Sequence, residues 1–385
     1  MEAIALMIPD LPSADAILPF LRRIDAKRWY TNFGPLVREF EHALAEEVGS
    51  PGSPVGVVTT ANATLALELA LTALPLRPGA RVLVPALTFV ATATAILRAG
   101  FEPVIADIDP DSWLLTPAIA TRALAEAAFD AVLPVATFGA AQNIGAWHAW
   151  SAACGKPVLI DAAAAFGNQS AGAVPTVFSL HATKSLGIGE GGFVASTDVA
   201  YLERIRRLSN FGFGPDHGDV VEAGTNAKMS EYHAAVGLAA LPRWRVRREM
   251  RRFLQAAYRD ALARTCPAVR LQRKAEGVPA IQVVALPEGA DAGIVSAQLA
   301  TGGIETRRWY CPPLHEHPAF SHCATAGALP VSCRLATRLL GLPFHLQLRP
   351  QDVERVCAEL ASHLHPIARA VARPRARHDP VARHV

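Results

Sequence analysis

Six short runs rich in Val, Ile, Leu and Ala are spaced through residues 56–197: GVVTT, RVLVPALTF, EPVIADI, AVLPVAT, PVLIDAA and GGFVAST. None shows the polar alternation of a strand with one wet face. Such runs belong in a sheet covered on both sides. Between several of them lie stretches with helical spacing and strong helix formers, among them ANATLALELALTAL and VATATAILRAG. This β-α-β alternation predicts a largely parallel, doubly wound α/β sheet.

From about Leu202 the pattern changes. LERIRRL and EYHAAVGLAALPRWRVRREMRRFLQAAYRDALA read as helices, the second interrupted at Pro242. A smaller α+β unit is expected after them. IQVVAL is its clearest strand and PQDVERVCAELASHL its last helix, with Pro350 near the start and acids in the first turn. A chain of 385 residues exceeds one ordinary core. The expected division is a large domain over 1–245, a small domain over 246–368, and a basic, unpatterned tail over 369–385 read as a frayed end.

Composition removes several function classes. With 51% hydrophobic and 18% charged residues the chain is not a disordered one. A net charge of +3 gives no reason to expect nucleic acid as a partner. No apolar run is long and clean enough to span a membrane. The opening MEAIALMIPDLPSADAILPF carries acids and prolines where a secretory signal would need a basic start and an unbroken apolar stretch, so a cytoplasmic protein is expected. Six scattered cysteines form no Cys-x-x-Cys pair and read as reduced packing residues.

Two residues suggest chemistry. Asp161 ends an apolar strand, and in parallel sheets ligands gather at the carboxyl ends of strands. A carboxylate there is costly unless a cation or hydrogen-bond donors meet it. Lys184 lies in the small-residue segment SLHATKSLGIGEGG. Partial desolvation would lower its pKa and make the amine a nucleophile toward a carbonyl. An acid paired to a pyridine nitrogen and a lysine joined to an aldehyde is the recurring pair in pyridoxal-phosphate sites. Taken singly, an ordinary strand-end acid and a surface lysine remain the simpler readings.

Eight segments in order resemble the DegT-type family of sugar aminotransferases: TNFGPLVREFEHALAEEVG, PALTFVATATAILRAGFEPVIADID, IDAAAAFG, HATKSLGIGEGGFVAS, RRLSNFGF, GTNAKMSEYHAAVGLAAL, RRWYCPPLHEHPAF and LLGLPFH. The likeness runs from about Thr31 to about Leu360. It implies the type I fold of pyridoxal-phosphate enzymes: a mostly parallel sheet between helices in the large domain and a smaller α+β domain at the C-terminal end. It also implies transfer of an amino group, usually from L-glutamate, to a keto-sugar, normally nucleotide-linked, with ping-pong kinetics. Lys184 would hold the cofactor through a carbon–nitrogen double bond and shuttle the proton. Asp161 would keep the ring nitrogen protonated, and Phe89 would stack on the ring. Thr64, at the start of its helix with Leu65, and Ser179 would hold the phosphate. Ala164 lies at a cofactor-contacting position. Asn226 would reach the phosphate of a neighbouring subunit, which makes the expected assembly a homodimer with shared active sites. Phe33, His181, Tyr310 and His315 would face the substrate. The lysine, where some relatives carry histidine and dehydrate sugars, favours the transaminase.

The chain departs from the family's pattern at several places. Ala164 stands for the usual Gln, Phe166 for His, Ile160 for an acid, Ala63 for Gly and Ala136 for His. Loss of a neutral hydrogen bond to the cofactor's oxygen is worth roughly 1 kcal/mol. These losses keep open a non-catalytic or regulatory member that binds the cofactor or a sugar, and a sugar dehydratase or lyase on the same cofactor. Three further segments carry weaker signals. GIGEGG, from Gly187 to Gly192, formally fits G-x-G-x-x-G but does not join a strand to a helix, so no dinucleotide site is expected. His315, Glu316 and His317 lie among prolines and suit no helical zinc motif, so no metal is expected. The arginines 243, 245, 247, 248, 251 and 252 read as a solvated helix face.

Overall fold

Turn and cap chemistry sets the boundaries of most helices. The computed structural model describes residues 2–50, 52–214, 218–273, 277 and 280–371, with side chains through 364. The strands of the N-terminal two-thirds are β1 (Gly56–Thr60), β2 (Arg81–Pro85), β3 (Glu102–Ala106), β4 (Ala131–Val132), β5 (Ile160–Asp161), β6 (Thr176–Ser179) and β7 (Gly192–Ser196). The helices among them are α1 (Ala14–Lys27), α2 (Pro35–Val48), α3 (Ala63–Thr72), α4 (Val90–Arg98), α5 (Pro117–Glu126), α6 (Ile144–Cys154) and α7 (Val199–Leu208). Ser13, Asn62, Thr116, Asn143 and Asp198 accept a backbone N–H at the starts of α1, α3, α5, α6 and α7. Side chains of that kind satisfy donors that the first turn leaves free.

The strands form two hydrogen-bonded groups, β1-β7-β6-β5 and β3-β2-β4, with a short strand β10 (Ala324–Thr325) added beside β3. Parallel bridges Val132↔Val158 and Val135↔Asp161 join the groups at β4 and β5, so one sheet runs β1-β7-β6-β5-β4-β2-β3-β10. Only β7 runs against its neighbours. Both faces are covered. Leu67, Ala93, Ile96 and Ile205 of α3, α4 and α7 bury one face, and Phe40, Leu44, Trp147 and Leu238 lie in the cluster on the other. The doubly wound expectation therefore holds, with one antiparallel strand that the apolar run GGFVAST could not reveal.

Helix α8 (Glu231–Thr265) is unbroken, contrary to the interruption expected at Pro242. Proline removes one backbone donor. Burial of Trp244 beyond it and of Tyr258 and Leu262 farther on holds the helix in register. The C-terminal part has its own core, in which Leu254, Tyr258, Leu299, Leu340, Val356 and Leu360 pack together. It contains β8 (Arg270–Leu271), β9 (Gln282–Ala285), α9 (Ala292–Thr301), α10 (Pro330–Ala336), β11 (Leu339–Leu342) and α11 (Pro350–Val371), with sheet order β11-β9-β8. The N-terminal strap joins this core through Ile4, which bridges to Ile304. Most of the basic tail, 372–385, lies outside the described residues. Among the described residues no helix is long and apolar enough to cross a membrane.

Two arginines of α8 have a partner distant in sequence. Arg243 and Arg247 both bind the Asp10 carboxylate, and Arg243 also donates to the Leu11 carbonyl. Arg251 is buried, and burial pulls its guanidinium down to about 10. Arg243 and Arg247 tie the N-terminal strap to α8, whereas Arg245 and Arg252 lie exposed, as the solvated-face reading expects. No two of the six cysteines are bonded.

Candidate active site

The carboxyl ends of β2, β5 and β6 and the start of α3 place the predicted groups. Asp161 closes β5 and is 4% exposed. Its Oδ1 accepts from the Ala163 N–H at 3.0 Å and its Oδ2 from the Thr92 hydroxyl at 2.8 Å. The Thr88 hydroxyl lies 2.9 Å from that of Thr92. Because the Thr92 hydrogen goes to the carboxylate, Thr88 is the donor in that contact. Burial pushes the Asp161 carboxyl up, against the pull of the Ala163 and Thr92 bonds and of the nearby Lys184 charge. Burial likewise pulls the Lys184 amine below its ordinary value, and Asp161 opposes the shift. The two groups are close enough to act on each other's ionisation. An amine held down in pKa is the form that attacks a carbonyl near neutral pH.

Thr92→Val is expected to remove the donor at nearly constant volume. A hydrogen bond to a charged group contributes roughly 1.5–3 kcal/mol. Without it the carboxyl moves further up, so the acid limb of the activity profile should shift to higher pH. Thr92→Ser should keep the limb where it is. An unchanged limb in the valine variant would deny the hydroxyl any part in tuning the acid.

Phe89 precedes α4 as its N-cap residue, and its ring is 59% exposed. Tyr310 stacks on Phe138, with centroids 5.2 Å apart and planes at 18°, and lies 6.2 Å from Phe89. Burial pushes the Tyr310 hydroxyl well above its usual value, and the Asp161 charge adds to the effect. An open ring face beside a buried acid is a seat for a flat, cationic heteroaromatic ring.

The start of α3 supplies the anion end. The Asn62 side chain accepts from the Leu65 N–H at 2.9 Å, so Leu65 spends its donor on the cap. The N–H groups of Ala63 and Thr64, earlier in the same turn, have no intrahelical acceptor and lie at the positive end of the helix dipole. Gly192 makes this approach possible. A Cβ there would stand 2.5 Å from the Ala63 nitrogen and 2.6 Å from its Cα. Gly192→Ala should therefore displace the helix start, cost about 1–3 kcal/mol as overpacking does, and weaken phosphate-anchored ligands by at least about tenfold. Thermal unfolding together with cofactor titration checks it, and wild-type values in both would remove this role from the glycine.

Ser179 ends β6, is buried, and its Oγ accepts from the His181 N–H at 3.3 Å. His181 is half-exposed: Nδ1 lies 2.9 Å from the Thr183 hydroxyl and Nε2 3.7 Å from Glu190. The Lys184 N–H donates to the His181 carbonyl at 2.8 Å, which closes the tight turn carrying the lysine. Ala164 is half-buried on the turn after Asp161. Phe166 is fully packed, 5.0 Å from Trp244 and edge-on to Phe178 and Phe193. Its ring extends the core and offers no polar atom to the cleft. Phe33 lies under the Arg206 guanidinium at 5.0 Å, packed against the large-domain core, and has no described contact with Lys184 or Asp161. Asn226 is exposed. His315 faces Cys333 and Glu316.

The Thr88–Thr92 relay had not been anticipated. Its only sequence trace is a pair of hydroxyls four apart in TFVAT, the spacing that puts side chains on one helical face. Two buried acids were also missed. Glu231 accepts from the Leu36 and Val37 N–H groups, and Glu41 binds Thr59 and Arg206. Both close gaps between elements distant in sequence.

The model of the DegT/DnrJ/EryC1/StrS aminotransferase family matches residues 14–361. Protein Rv3402c of Mycobacterium tuberculosis is 34% identical over 370 residues, covering 91% of this chain and 87% of that protein. The UDP-2-acetamido-2-deoxy-3-oxo-D-glucuronate aminotransferase of Pseudomonas aeruginosa is 29% identical over 343 residues, 86% of this chain and 91% of its own. Among solved structures, DesI in the presence of its TDP-sugar product superposes with a TM-score of 0.85 at 32% identity, covering 97% of this chain and 95% of that one. A lysine and an acid within electrostatic reach at the strand ends, an open aromatic face and an anion-binding helix start thus coincide with a match along nearly the whole sequence, and the chain belongs to the DegT/DnrJ/EryC1/StrS aminotransferase family.

Proposed function

We propose that this protein binds pyridoxal 5'-phosphate and moves an amino group from an amino acid, L-glutamate in the first instance, to a nucleotide-linked keto-sugar. The observation that carries the reading is the Lys184–Asp161 pair: a buried acid and a half-buried lysine, close enough to act on each other, whose pKa values desolvation drives toward neutrality of both. The residues suit the cofactor. Asp161, held by the Thr92 hydroxyl and the Ala163 N–H, would face a protonated ring nitrogen. The turn of α3 with Thr64, and Ser179 opposite, supply donors for a phosphate. Phe89 covers one ring face.

When bound, pyridoxal phosphate supplies an aldehyde that links to amines and a ring that withdraws electrons from the neighbouring carbon. The chain does the rest. The Lys184 amine would hold the cofactor and, once free, would carry a proton from the donor's α-carbon to the neighbouring carbon. The Asp161 charge would keep the ring nitrogen protonated, as preorganised electrostatic stabilisation. His181, Tyr310 and His315 are assigned to the sugar side, on loops at the carboxyl ends of the strands.

The protein is further assigned to a homodimer in which Asn226 completes the partner's phosphate site. Support comes from a display of exposed apolar side chains near it. Tyr30 stacks on Tyr232 at the surface, and Phe211, Val220 and Val221 lie open on the segment before Asn226. The expected location is the cytoplasm.

The test separates the two half-reactions. Glutamate alone should shift the cofactor's absorbance and release about one 2-oxoglutarate per site, since the amino group is parked on the cofactor between steps. A keto-sugar nucleotide should then reverse the shift and yield an amino-sugar. A bound cofactor that ignores glutamate would turn the assignment toward a binding or regulatory protein. Release of a deoxy-keto product would turn it toward dehydration.

A further inference from the structure

We propose that His315, Glu316 and Cys333 form a three-ligand site for a zinc-class divalent cation, on the loop that also carries Tyr310. The three donor atoms all lie within 4.8 Å of one another. His315 Nε2 is 3.5 Å from Cys333 Sγ and 3.8 Å from Glu316 Oε1. Around tetrahedral zinc, with bonds of about 2.0–2.1 Å to nitrogen, 2.3 Å to sulfur and 2.0–2.2 Å to oxygen, the N···S edge is about 3.6 Å and the N···O edge about 3.4 Å. The first distance already matches, and the second is longer, on a Glu316 side chain that is half-exposed.

The ligands are held by a framework that does not depend on the cation. His315 and Glu316 lie on a single turn, Leu314–Glu316, and the Leu314 N–H donates to the Ala86 carbonyl at the end of β2. Cys333 lies in the first turns of α10. That helix start is fixed by Asp107, whose carboxylate accepts from the Val331 and Ser332 N–H groups and the Ser332 hydroxyl. Both pieces are thus anchored to neighbouring strand ends of the large-domain sheet. His315 Nδ1 is buried without a hydrogen-bond partner among the described residues, and its Nε2 faces the other two ligand atoms.

Ligand type narrows the cation. One thiolate, one imidazole and one carboxylate suit zinc and its neighbours rather than magnesium or calcium, which take oxygen ligands. On binding, the Cys333 thiol gives its proton to solvent and its sulfur lone pair to the metal. Three protein ligands leave a fourth position for water or a substrate atom. The helical spacing rules of the sequence pass over this site because the sulfur comes from a different element, 18 residues away. On the proposed aminotransferase reading, a cation bound to His315 would compete with the sugar for the same side chain, so zinc should inhibit and a chelator should restore turnover.

Binding itself is tested without turnover. Chelator-treated, cofactor-loaded protein is titrated with Co2+, whose tetrahedral thiolate complexes absorb in the visible at longer wavelengths than the cofactor, and zinc stoichiometry is measured by equilibrium dialysis. One cation per chain and visible Co2+ bands are expected. Cys333→Ser and His315→Ala should abolish the bands, and Glu316→Gln, a surface change, should weaken binding while the protein stays folded. Cys323→Ser should leave them intact. Absence of the bands in the wild type, or their survival in both the Cys333 and His315 variants, overturns the site. Because no catalytic step is read, that failure would leave the aminotransferase assignment standing.

Discussion

Replacing Lys184 with alanine is expected to lower glutamate-dependent turnover by on the order of 10⁴-fold or more. The amine is assigned two tasks, and the proton transfer alone contributes roughly 10²–10⁴-fold. Losing the covalent anchor adds to that, because the reactive carbon is no longer delivered in position. The substitution shortens a buried side chain whose charge is already disfavoured, so the fold should tolerate it. Cofactor should still bind through the α3 turn, Phe89 and Asp161, though more weakly. Stopped assays with glutamate and a keto-sugar nucleotide measure the first effect. Small amines added to the solution should recover part of the rate if the missing piece is a base. Full activity in the alanine variant would remove the lysine from the chemistry, and with it the central assignment.

Parts of this site could be read in the sequence because they are local. Asp161 ends an apolar run and Lys184 sits in a small-residue turn, and both features survive without any tertiary information. The sheet was legible for the same reason: its strands are buried on both faces and advertise it with Val, Ile and Leu. What stayed hidden is what depends on distant partners. Pro242 read as a break because local propensity counts a missing donor, whereas burial of Trp244 and Tyr258 carries α8 through it. Arg243 and Arg247 read as part of a wet face because Asp10, their partner, is more than 230 residues away. Phe166 read as a lost histidine, whereas its ring fills a cluster with Phe178, Phe193 and Trp244 whose members come from four separate segments. Phe166 supplies packing at that position, and a motif comparison registers only a missing histidine.

Asp161→Asn separates the charge of this acid from its shape. The amide keeps the volume of a residue that is 4% exposed and can still face Thr92 and Ala163, so the framework should hold. A neutral amide, however, cannot keep a pyridine nitrogen protonated. Removing one preorganised electrostatic partner of a developing charge costs about 10²–10³-fold in kcat, and that loss is expected here with a smaller change in KM for glutamate. Lys184 should respond as well. Asp161 is the group that holds its pKa up against burial, so in the variant the amine's pKa falls further and the neutral amine persists to lower pH. The direction follows from linkage: a group whose folded pKa is depressed binds its proton only below that value. Cofactor capture by the Asn variant, followed as absorbance against pH, should therefore fail at a lower pH than in the wild type. A cofactor analogue methylated on the ring nitrogen carries its positive charge without help. It should restore a large part of the lost rate in Asp161→Asn and none in Lys184→Ala. If the analogue rescues neither, the acid acts by some route other than the charge on the ring.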